Sequence, residues 1–226
     1  MISHHRAAAR AAAAAVDGSA AKPAAAPEES PVGQAGIVLI TAAFVLLQAT
    51  NATAMTFMTI YVTETLRLDV VWAGISLGVT AVLEVPALIL IGRLTEPFSN
   101  LGLIATGCVA GIAYYVGVAF VSGPVALLAL QPLNAWCFAT IARVGLTLFQ
   151  QMIPRPGLST GLYMNTRRIG AIVSGPVIAI GSLTVFGQRG IFLTSAAIAL
   201  ISLAIIGVAG RAAMKTTSTR PVPSAS

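Results

Sequence analysis

The chain has 226 residues, of which 57% are hydrophobic and only 9% charged, and its 13 Lys and Arg outnumber 7 Asp and Glu. Soluble domains carry about 45–50% apolar and about 25% charged residues, so there are too few charges here to cover a water-soluble surface. A cytosolic enzyme, a nucleic-acid-binding domain and a disordered regulator are excluded, and the composition is that of an all-α polytopic membrane protein.

Residues 1–36 differ from the rest, being rich in Ala and Pro with scattered charges (RAAARAAAAAV, KPAAAPEESP). Such a segment buries too little side-chain area to offset chain entropy and reads as a disordered cytoplasmic tail. Its apolar stretch is almost pure alanine, too weak for the core of a signal peptide. Residues 37–210 read as the membrane bundle and 211–226 as a second disordered cytoplasmic tail.

A crossing needs about 20 apolar residues to span about 30 Å of hydrocarbon. No charge falls between residues 36 and 63, which predicts a first span over 37–61. The second, over 72–91, is interrupted only by Glu84. Residues 97–142 are free of charge for 46 positions, and the turn signal Ser122-Gly123-Pro124 divides them into spans over 101–121 and 125–152. Pro154 and Pro156 end the fourth, a fifth covers 159–183, and the Gly187–Gly190 turn leads into a sixth over 191–210. With the loops numbered alternately, eight Lys and Arg fall on the side of the two tails, including Arg93 and Arg155, against Arg67 and Arg189 opposite. The positive-inside rule therefore places both termini in the cytoplasm, in a cell membrane.

Polar groups within spans are the candidates for function, since a charge at mid-depth costs about 2.5–3.5 kcal/mol and normally faces a cavity or a partner. Glu84 lies near the middle of its span with Thr80 one turn before it on the same face. Two readings stand side by side: a substrate or proton-coupling carboxylate, and a structural ion pair with an arginine of the fourth or fifth span. Arg143 is near enough to the cytoplasmic end of its helix to snorkel. Arg168 is about 13 Å into its helix, too deep for that, and shares a face with Asn165. Arg167 is rotated about 100° from that face and carries less weight, as a structural or snorkelling residue. Gln131 and Asn134, and likewise Gln48 and Asn51, are suited either to sugar hydroxyls or to helix–helix hydrogen bonds. The small-residue pairs Gly74/Gly78, Gly107/Gly111 and Gly170/Ser174 predict close helix packing, and Trp72 and Tyr61 occupy belt positions at the interface. The only histidines, His4 and His5, lie in the tail, no aspartate lies in a span, and Cys108 and Cys137 lack metal or disulfide spacing. No enzyme chemistry, metal or cofactor is therefore expected.

Several stretches together resemble the C-terminal six-helix half of the sugar efflux transporters of the major facilitator superfamily. They are Met58–Tyr61 with the acidic loop after it, VLEVPALIL with Glu84 and Pro86, QPLNA with Gln131 and Asn134, LFQQMIP, and LSTGLYMNTRRIGAIVSG with Asn165 and Arg168. They keep one order over about residues 49–210. The loop after the second span is a degraded G-x-L-x-D-R-x-G-R-R gating signature: Gly92, Leu94 and Glu96 are in place, while Pro97, Ser99 and Asn100 replace a basic residue, the glycine and an arginine. The resemblance implies an exporter of sugars or similar small polar solutes working by alternating access. Asn51, Glu84, Gln131, Asn134, Asn165 and Arg168 would contact substrate, and Glu84 would carry a coupled proton. It also implies a second six-helix bundle, as a separate N-terminal half or a second copy of this chain. The alternative is a non-transporting remnant or structural subunit.

Overall fold

A computed structural model describes residues 33–153 and 155–218. Most of the expected N-terminal tail and the last eight residues of the C-terminal one lie outside them. The described residues form helices α1 (Gln34–Ile60, prolonged by a π-helical turn Tyr61–Thr65), α2 (Val71–Leu94), α3 (Asn100–Phe120), α4 (Pro124–Ala129), α5 (Gln131–Met152), α6 (Pro156–Ser182) and α7 (Gln188–Ser218). Every expected span has a helical counterpart, and α7 runs past residue 210.

Four of these helices, and α4 and α5 taken together as a fifth, are long and apolar enough to cross a membrane. The remaining long helix, α6, has 27 residues but carries Asn165, Arg167 and Arg168. The fourth span departs from expectation, because it is two helices joined at Leu130. Pro132 is the reason: it has no N–H to donate, and its ring collides with the carbonyl four residues back, so it is stable only in the first turn of a new helix.

Helix ends are tied by polar side chains. Ser99, which replaces the glycine of the loop signature, caps α3 by accepting from the Gly102 N–H at 3.2 Å. Asn100, where the signature has arginine, donates to Gln151 Oε1 at 2.9 Å and joins the start of α3 to the end of α5. At the opposite end Tyr61 donates to the Val118 carbonyl at 2.7 Å, and Thr65 donates to Gln188 Oε1, so α1, α3 and α7 meet there. Tyr61 is completely buried and packs on Phe192 with ring centroids 4.7 Å apart, so it belongs to the core and not to an interfacial belt.

Within the bundle α3 packs against α7 and α5, α1 against α6 and α7, and α2 is attached chiefly through α5. Phe44, Phe149 and Tyr163 form an edge-to-face trio that joins α1, α5 and α6. Close packing occurs at two of the three small-residue pairs. A Cβ on Gly107 would come within 2.9 Å of Thr140 Cβ, and one on Gly170 within 2.6 Å of Gln48 Cβ. Gly74 and Gly78 correct that expectation, since nothing stands within 4 Å of where their Cβ would be. Spacing on one helix cannot show whether a partner stands opposite. Cys108 and Cys137 are both buried and free.

Candidate functional site

Polar residues of three helices converge on one cavity of about 70 Å³, lined by Asn51 and Met55 of α1, Leu77, Thr80, Ala81 and Glu84 of α2, and Asn134 and Phe138 of α5. Helical periodicity builds each wall. Met55 stands four residues after Asn51, Phe138 four after Asn134, and Glu84 four after Thr80, so each polar group has a neighbour one turn away on its own face. The helices therefore present a polar edge set among apolar side chains, the usual composition of a small-molecule site.

Gln131 lies behind this wall. It is fully buried, accepts from the Thr80 hydroxyl at 2.6 Å and donates from Nε2 to the Leu127 carbonyl at 2.8 Å. Thr80 lies also 3.0 Å from the Ser76 carbonyl oxygen, and the buried Ser76 hydroxyl one turn away has no hydrogen-bond partner. Asn134 is buried and Asn51 half-buried, the latter's amide making only a long 4.0 Å contact to Met55 Sδ.

Glu84 is half-buried. Asn165, Arg167 and Arg168 are all exposed, and none of them lines the cavity. Among residues 33–209 no charged residue whose burial is described is buried, so this single bundle encloses none of its intramembrane charges.

A second hollow, about 360 Å³, is lined by Leu88, Ile89, Gly92, Arg93 and Arg143. The Arg143 guanidinium lies directly on Gly92, where an added Cβ would be 3.0 Å from Nη2. Arg143 is exposed and extends to within two residues of the end of α2, bringing its charge beside the loop that holds Glu96. Sequence reasoning missed this contact with Gly92. It also treated Thr80 only as a neighbour of Glu84, although the four-residue spacing already placed the two on one face.

Several helices long and apolar enough to cross a membrane, with a polar recess on one flank, make this a multi-pass membrane protein. The chain belongs to the MFS_1 like family, whose sequence model matches residues 32–188. It is 35% identical to sugar efflux transporter A of Dickeya chrysanthemi over 63% of this chain and 37% of that protein. It is 32% identical to sugar efflux transporter B of Salmonella typhimurium over 61% of this chain and 35% of that one. With sugar efflux transporter A of Escherichia coli strain K12 the identity is 28%, over 73% and 42% respectively. The match thus spans well under half the length of these relatives. No solved structure matches the chain.

Proposed function

We propose that this chain is the substrate-binding half of a secondary transporter that exports sugars or similar small neutral solutes across the cell membrane by alternating access. The observation that carries the reading is the convergence of Asn51, Thr80, Glu84 and Asn134, from three membrane helices, on one recess. The names of its relatives agree with it. Amides and a carboxylate suit hydroxyl groups, because together they can both donate and accept.

A second six-helix bundle faces the recess and completes the path, supplied by another protein or a second copy of this chain. Asn165 and Arg168, exposed on α6, turn toward that partner and the substrate between the two. Glu84 carries the coupled proton, and Arg167 holds its charge in check when the proton leaves. Both termini are cytoplasmic, so Arg143 and the Gly92–Glu96 segment form the inner gate.

The test is flux. The purified full chain, with any six-helix partner that accompanies it, is reconstituted into liposomes loaded with radiolabelled mono- and disaccharides. A pH gradient should drive sugar movement, and Glu84→Gln should abolish the gradient's effect while leaving sugar exchange at equilibrium. If no sugar moves with or without a gradient, the reading fails.

A further inference from the structure

We propose that Thr80 is a substrate-reading residue that acts only as an acceptor: it takes a hydrogen bond from a neutral substrate hydroxyl and has no proton to give. This rests on the sugar-export reading and narrows its substrate class.

The neighbours of Thr80 determine its role. Gln131 Nε2 donates to the Leu127 carbonyl at 2.8 Å, and a carbonyl can only accept. The amide orientation follows, with Oε1 as the atom turned to Thr80. That oxygen lies 2.6 Å from Thr80 Oγ1, and the hydroxyl's other neighbour is the Ser76 carbonyl oxygen at 3.0 Å. Both are acceptors, and a threonine hydroxyl has one proton. Whichever neighbour receives that proton, all that Oγ1 has left to offer toward the cavity that Thr80 lines is lone-pair density.

Glu84, one turn along α2, is a second acceptor when ionised, so the α2 wall accepts at two levels. The amides of Asn51 and Asn134 line the opposite side, and each can donate as well as accept. A sugar hydroxyl satisfies such a site by giving its proton to α2 while accepting from α1 or α5. A carboxylate or phosphate would set its own lone pairs against both acceptors, so the arrangement selects against anions. With two neighbours already placed on it, the Thr80 oxygen has room for one further hydrogen bond. Thr80 therefore reads one position of the substrate.

The experiment measures binding of methyl β-glucoside, methyl β-galactoside and lactose to the purified full chain, then of singly deoxygenated and singly deoxyfluorinated analogues of the tightest. Fluorine accepts weakly but cannot donate. At the position Thr80 reads, both analogues should bind more weakly by the same factor, roughly 3- to 10-fold for one neutral hydrogen bond. Thr80→Val should lose that factor for the parent sugar and lose nothing further for either analogue, while Thr80→Ser keeps wild-type binding. A fluoro analogue that restores binding overturns the acceptor assignment, as does Thr80→Val binding the parent like wild type. Should Thr80→Val not fold, the analogue series on wild type and Thr80→Ser decides. If the wild-type chain, together with any six-helix partner that accompanies it, binds none of the three sugars, the sugar-export reading falls and this one with it.

Discussion

Helices α2 and α3 are consecutive, of similar length, and both apolar enough to cross a membrane, yet 17% of the apolar window of α2 is buried against 56% of that of α3. The difference lies in neighbours and not in hydrophobicity. Lipid is as apolar as leucine, so burial of grease does not choose which helix goes inside; close approach and polar contacts do. Gly107 and Gly111 let α3 press against Thr140 and Cys137 of α5, whereas Gly74 and Gly78 of α2 meet nothing. The well-packed helix holds the scaffold together. The outlying one carries Thr80 and Glu84 to an open flank.

Matched substitutions break this contrast most directly. Gly107→Leu should destabilise the bundle by about 3 kcal/mol through overpacking against Thr140, read as an earlier unfolding midpoint in detergent titration. Gly78→Leu should cost no more than about 0.5 kcal/mol, as at an open surface. Equal losses at the two sites would show that α2 is packed after all. Next in size is Glu84→Gln, whose effect should be functional: a neutral hydrogen bond replaces a charge-assisted one, so sugar binding weakens about tenfold, exchange persists at saturating sugar, and the unfolding midpoint is unchanged. A lowered midpoint with unchanged binding would make Glu84 structural. Tyr61→Phe removes the bond to the Val118 carbonyl that ties α1 to α3 and should cost about 1 kcal/mol, measured in the same titration. Smallest is Gly92→Ala. Only the tip of the flexible Arg143 side chain is in the way, so stability should move by less than about 0.5 kcal/mol while arginine accessibility to a guanidinium-directed reagent rises.

Much of the helical layout is legible along the chain, because a crossing announces itself locally through uncharged length and proline or glycine at its ends. The break at Leu130 is an instructive exception. Pro132 stands in plain view, but a run of residues without charge conceals the break unless the missing N–H is counted. Among the polar candidates, Asn51, Glu84 and Asn134 gather round one recess, Gln131 stands behind it as the partner of Thr80, and Asn165 and Arg168 lie outside it on α6.

Composition and spacing thus establish that the chain is helical, that it is built for lipid, and which residues share a face of one helix, since 3.6 residues per turn is a property of the backbone alone. How each helix is rotated about its own axis relative to its neighbours is a matter of packing, set by contacts between residues far apart in the chain such as Gly107 with Thr140 and Gly170 with Gln48. That rotation brings Thr80 against Gln131 and leaves the arginines of α6 on the outside, and no local pattern encodes it.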